Sequence, residues 1–173
     1  METTKNAFQP NVKLFFYNLS EYLDTKLLYY GSIQRIDYIP GKSDIDILIF
    51  TDNEYSMISK MQHYLHVSKK DFKKVAWIIN DTPTYGYKLK YERDNINAEF
   101  SIYNEKFKEI ILSEHNSKKL LPIYVTVLLY ILKFAYYQFP LLDKKTFTYL
   151  KRTLINNILR NGDDAKFLVI DAE

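Results

Sequence analysis

The segment Asp44-Ile45-Asp46-Ile47-Leu48-Ile49-Phe50 constrains this chain more than any other stretch. It is a β-branched apolar run that opens with alternating charge and closes at Thr51-Asp52-Asn53, the pattern of a strand followed by a helix start. Side chains two apart on a strand share a face, so Asp44 and Asp46 project together while Ile45 and Ile47 point the other way, into a core. Two neighbouring carboxylates repel each other unless a cation sits between them. With no Cys or His nearby, they offer hard oxygen ligands suited to Mg²⁺ or Mn²⁺ and not to zinc. The plain alternative is a solvated strand start whose charges only block edge pairing.

Upstream, Gly31-Ser32 supplies a second half. A glycine lets the backbone approach an anion closely, and a serine hydroxyl with free amides binds phosphate oxygens. A short helix starting at Ser32 would reinforce that role through its N-terminal amides. The same pair also suits a helix C-cap followed by a turn. Read together, Gly31-Ser32 and Asp44-x-Asp46 describe a cradle for a metal-bound polyphosphate.

The rest of the chain sets the frame. Apolar positions from Asn11 to about Tyr29 recur at helical spacing, predicting an amphipathic helix that Gly31 ends. Asn53 to His66 reads as a helix, and Lys74–Ile79, Tyr87–Glu92 and Ile96–Tyr103 as strands, the last two a hairpin around Arg93-Asp94-Asn95. Helices follow over Phe107–Glu114, Leu121–Phe139 and Lys144–Leu159. The segment Lys166–Ile170 reads as a further strand or a docked tail. This order predicts an α+β fold. At 173 residues, 47% of them apolar, the chain is sized for one domain over 1–173, a core at 11–103 followed by a mainly helical part at 104–173.

Composition excludes several classes. With 24 Lys and Arg against 21 Asp and Glu, the chain lacks the concentrated charge of a dedicated nucleic-acid binder. There is no cysteine, so disulfides and thiolate metal sites are out, and an N-terminus without a basic start and apolar run leads to the expectation of a cytoplasmic protein. The 16 tyrosines and 11 phenylalanines point first to an aromatic core. The stretch Leu120–Phe139 approaches a bilayer span in length, but Lys133, Pro122, Thr126 and Gln138 argue for a core helix packed on the sheet, with Lys133 snorkelling outward or reaching toward a bound triphosphate. His63 and His66 on the second helix lack further ligands and read as surface residues, as do the lysines of Lys69–Lys74.

Gly31-Ser32 followed by Ser43-Asp44-Ile45-Asp46-Ile47 resembles the signature of the nucleotidyltransferase superfamily, the polymerase β-like fold. The resemblance covers roughly residues 11–103 by motif and element order. It implies a mixed sheet flanked by helices, and transfer of a nucleoside monophosphate from a nucleoside triphosphate, ATP among them, to a hydroxyl. It also implies a third carboxylate on a later strand. Ala98-Glu99-Phe100 puts Glu99 there, where the commoner residue is aspartate, one methylene shorter; Glu92 and Asp94 are fallbacks. On this reading Asp44, Asp46 and Glu99 hold Mg²⁺ or Mn²⁺, Gly31, Ser32 and Ser43 contact the nucleotide, and Arg35 and Lys42 balance phosphate charge. Glu99 alternates equally well as a polar residue on the open face of an antiparallel strand. The acceptor is an RNA, a protein or a small molecule, and no stable membrane insertion is expected. The competing reading is an inactive domain of the same fold that serves as a nucleotide-binding or protein-interaction module.

Overall fold

A computed structural model describes residues 4–79, 81–119, 121–139, 142–159 and 167–170. Helix α1 spans Pro10–Leu23, with proline in its first turn and Val12, Phe16, Leu19 and Leu23 on its buried stripe. It ends earlier than expected. Asp24 adopts the left-handed conformation (φ 52°) and turns its amide back onto Glu21 and Ser20. Strand β1, Leu28–Tyr30, then occupies the end of the expected helix, pairing antiparallel with β2, Ile45–Thr51. The apolar spacing continues smoothly through Leu27, and no Gly or Pro marks the break; Asp tolerates the left-handed cap well enough to end a helix unannounced. Gly31 therefore begins a short 3-10 turn, Gly31–Gln34, instead of closing a helix.

Helix α2 (Glu54–Leu65) starts at Asn53, whose side chain accepts from the Ser56 amide, a normal N-cap. Strands β3 (Phe72–Ile79), β4 (Thr82–Arg93) and β5 (Ile96–Asn104) follow. β4 and β5 form the expected hairpin, with Asp94 and Asn95 both at positive φ as a two-residue primed turn requires. β4 starts before its expected position because Pro83 lies where the strand pairs only with β3, so its missing N–H costs no ladder bond to β5. Asn80, within the expected turn, lies outside the described residues. The sheet runs β1-β2-β5-β4-β3-β6, with β2 and β5 parallel and the other neighbours antiparallel. β6 (Phe167–Ile170) pairs with β3, so the last segment is a strand; Lys166 lies outside the described residues.

The two faces of the sheet are buried differently. Ile45, Ile47, Ile49, Ala98, Phe100 and Ile102 meet α1 and α2 in the larger core, where Phe16 packs against Phe8, Tyr29 and Phe100. On the opposite face Leu48, Phe50, Val75 and Tyr103 pack with Ile111 of α3, Lys108–Lys119. Asp46 and Glu99 lie on that second face, where His115 of α3 lines the same cavity.

Helices α4 (Ile123–Gln138) and α5 (Lys144–Leu159) pack on each other, with Tyr136 stacked on Phe147 at 4.2 Å between ring centroids. The expectation of a core helix over Leu121–Phe139 is corrected here. α4 buries only a stripe, Val125, Thr126, Leu129 and Lys133, while Ile123, Tyr124, Val127, Leu128 and Ile131 stay exposed. Its apolar residues lie all round the axis, so hydropathy could not say which side was covered. Leu120 lies outside the described residues. Among the described residues no helix is long and apolar enough to cross a membrane. His63 and His66 are exposed, as the sequence indicated, and Lys69 and Lys70 sit in an exposed turn held by reciprocal bonds between Ser68 and Asp71.

Gly86 makes the second face possible at β4: a Cβ there would lie 2.4 Å from Cδ1 of Tyr103 and 2.6 Å from the Ile102 carbonyl. Substituting Gly86→Ala is expected to destabilise the chain by about 1–3 kcal/mol, the usual cost of overpacking. Urea unfolding checks this through a lower midpoint at unchanged slope.

Candidate active site

β1 leads directly into the 3-10 turn, and the register sets Tyr30 beside Asp46 on one side and Glu99 beside Asp46 on the other. Gly31 (φ 71°) lies so close to Asp46 that a Cβ there would come within 2.0 Å of Oδ2. Only glycine fits, for conformation and for space. Asp44 immediately precedes β2. Burial, then the charges of Asp44 and Glu99, push the Asp46 carboxyl up to about 7, with Lys151 and Lys88 acting the other way.

These groups line a cavity of about 240 Å³. Its polar lining is Gly31, Ser32, Asp44, Asp46, Glu99 and the cations Arg35, Lys88 and Lys151. Tyr30, Trp77, His115, Leu121 and Ile155 complete the walls. The rings of Tyr30 and His115 are 4.3 Å apart, and Trp77 lies 5.6 Å from His115. The Ser32 hydroxyl is buried and has no hydrogen-bond partner among the described residues. A larger groove of about 620 Å³ runs past Gly41 and residues 92–97 and contains none of the site's Gly-Ser or Asp-x-Asp residues.

The expected site residues separate in three dimensions. Gly31, Ser32, Asp44, Asp46, Glu99 and Arg35 come together around the cavity; Lys42 is exposed away from it, and Ser43 is buried behind it. Arg35 is also engaged, with Nε 2.7 Å and Nη2 3.2 Å from the carboxylate of buried Asp37. Glu99 is ion-paired with Lys88. The fallbacks are elsewhere: Glu92 pairs with Lys90 in solvent, and Asp94 forms the hairpin turn. Lys133 neither snorkels outward nor lines the cavity; it is buried against Asp37 and Ser43. The sequence reading missed Asp37, Lys88, Lys151, Trp77 and His115. A lone charge in apolar α4 did flag Lys133, but nothing in the sequence named its partner.

For a divalent cation, Asp44 and Asp46 provide a hard-oxygen pair whose mutual repulsion is relieved by positive charge. Among the described residues no three His, Cys, Asp or Glu side chains are gathered closely enough to ligate one ion unaided. The donor set therefore fits an ion shared between the aspartates and phosphate or water oxygens, with Glu99 joining only on leaving Lys88.

The sequence pattern of the nucleotidyltransferase domain family matches residues 13–160, so the chain belongs to that family. Its fold is α+β, a mixed sheet flanked by helices. Among solved structures, Cid1, described for the structural plasticity underlying its RNA terminal uridylyl transferase activity, aligns with 73% of this chain at 15% identity and a TM-score of 0.32. The alignment takes in 37% of that protein, so this chain spans little more than a third of it. No curated protein sequence matches the chain.

The raised Asp46 pKa has a stability consequence. Because the folded value lies above the unfolded one, the cost is absent well below the ordinary carboxylate value of 3.8, is still small at pH 4, grows as pH rises toward 7, and is fully present above that. Asp46→Asn is therefore expected to raise the melting temperature in EDTA at pH 8 and to leave it nearly unchanged at pH 4. Scans at both pH values test this, and equal gains would rule out the charge as the cause.

Proposed function

We propose that the chain is a metal-dependent nucleotidyltransferase that moves a nucleoside monophosphate from a nucleoside triphosphate to an acceptor hydroxyl. The observation that carries this reading is the contact of Gly31 with Asp46, which folds the Gly-Ser turn onto the carboxylates, so that Ser32 lines the same cavity as Asp44 and Asp46. Asp44 and Asp46 would hold Mg²⁺ or Mn²⁺, which supplies charge neutralisation at the phosphates and acidifies an attacking hydroxyl.

The chain's own groups divide the remaining work. Ser32 and the amides of its turn bind phosphate oxygens, and Lys151 approaches from α5 to offset the charge of the departing pyrophosphate. Arg35, fixed in orientation by Asp37, lies at the cavity edge as a further cation. The acceptor oxygen forms its bond to the α-phosphorus as the bond from that phosphorus to the bridging oxygen breaks; pyrophosphate leaves with the electron pair, and the hydroxyl proton passes to a site carboxylate, Glu99 once released from Lys88. The acceptor hydroxyl belongs to an RNA, a protein or a small molecule, among which the cavity by itself holds no selecting feature.

The Lys88–Glu99 ion pair favours a second reading, a nucleotide-binding module of the same fold without turnover. Incorporation of labelled NTP into total RNA or cell protein, with Mg²⁺ or Mn²⁺, separates the two. Transfer should fall at least ~10²-fold in Asp44→Ala/Asp46→Ala, the scale set by loss of transition-state charge stabilisation. Metal-dependent nucleotide binding without label transfer would select the module, and absence of both would reject each reading.

A further inference from the structure

Residues 35–43 join the Gly-Ser turn to β2 through turns and bends alone, yet they decide where Asp44 stands. Asn6 Nδ2 donates to the Arg35 carbonyl at 2.7 Å and Arg35 pairs with Asp37, but the contact that joins both ends comes from α4. Lys133 Nζ donates to the Asp37 carbonyl at 2.9 Å and to Ser43 Oγ at 3.3 Å, and lies 3.0 Å from Asp37 Oδ2. That uses all three donors of the ammonium group. One cation thus bridges the two ends of the segment, one beside the Gly-Ser turn and the other adjacent to Asp44. The junction is dry: Asp37, Lys133 and Ser43 are 0%, 3% and 3% exposed. Internal bonds tighten it further, with the Ile39 amide donating to Ser43 Oγ at 3.1 Å and the Ser43 amide to the Ile39 carbonyl at 2.9 Å.

A buried ion pair is a poor way to gain stability, because stripping water from both charges offsets most of their attraction. It is an effective way to impose one geometry, since few other arrangements satisfy every donor. Lys133 is also the sole charged residue of α4, set on its narrow buried stripe while much of the apolar surface faces solvent. Burial of helix surface therefore does not account for it.

We propose that Lys133 is a positioning residue: its ammonium bridges Asp37 and Ser43, holds the 35–43 segment in one conformation, and so sets Asp44 relative to Asp46. Its consequence for metal binding rests on the nucleotidyltransferase reading of the aspartates; the ordering of the segment does not.

The full chain is compared with Lys133→Met, with Ser43→Ala, which severs one arm, and with Leu129→Ala, which weakens the same buried stripe of α4 without touching the bridge. Amide hydrogen exchange is followed over residues 36–46, alongside melting temperature and Mn²⁺ affinity by titration. In Lys133→Met, exchange should rise selectively in that segment and Mn²⁺ affinity fall about 10- to 100-fold, as when residues supporting metal ligands are removed. Ser43→Ala should move both in the same direction by less, and it carries the test if Lys133→Met does not fold. Leu129→Ala, whatever its loss of melting temperature, should leave the segment and the affinity unchanged. Unchanged exchange in the segment, or a rise spread evenly along the chain, overturns the proposal. Failure of the unsubstituted chain to bind Mn²⁺ instead rejects the metal-site reading, and hydrogen exchange still decides the role of Lys133.

Discussion

The site depends on a side chain that is missing. Because Gly31 has no Cβ, the first turn after β1 can lie against the Asp46 carboxylate, in volume that any other residue would fill. Two consequences follow from that one contact. The backbone amides and Ser32 hydroxyl are brought to the same end of the sheet as the aspartates, and Asp46 is enclosed deeply enough that its proton affinity approaches neutrality. On the proposed reading, the turn that would bind phosphate and the pair that would bind a cation are held in contact before any ligand arrives, which lowers the ordering cost of binding.

The sheet gives the contact its precision. A parallel register between β2 and β5 sets Glu99 beside Asp46, and the alternation of both strands turns their isoleucines, Ala98 and Phe100 toward α1 and α2. Farther along the same strands the second face also becomes apolar, under α3, while the carboxylates line a cavity. The abundant aromatics serve this construction mainly as core: Phe8, Phe16 and Tyr29 knit α1 to β1, and Phe15 stacks on Tyr91. Tyr30, Trp77 and His115 instead wall the cavity, joining core to site.

Positive charge reaches the site from distant parts of the chain. Lys88 comes from β4, Lys151 from α5, and Lys133 works behind the site from α4, whereas Lys42, near in sequence, is exposed elsewhere. Arg35 is near in both senses, but Asp37 restrains it. The helical C-terminal part thus contributes one cation, Lys151, and the brace behind Asp44 in addition to cover.

The sequence by itself determined the strand with its paired aspartates, the Gly-Ser turn, the β4–β5 hairpin and the C-terminal helices, because each is encoded by local chemistry: alternation, a turn residue, a cap, an apolar period. It misplaced the end of α1, where Asp24 breaks a helix that apolar spacing would have continued, and it assigned α4 to the core because hydropathy records how much surface is apolar but not which side finds a partner. Only the tertiary structure decided that Glu99 stands beside Asp46 yet pairs with Lys88, that Ser43 braces a loop instead of lining the cavity, and that Lys133 closes on Asp37. Ion pairs between residues so far apart in the chain depend on desolvation and on strand register, and both exist only once the chain has packed.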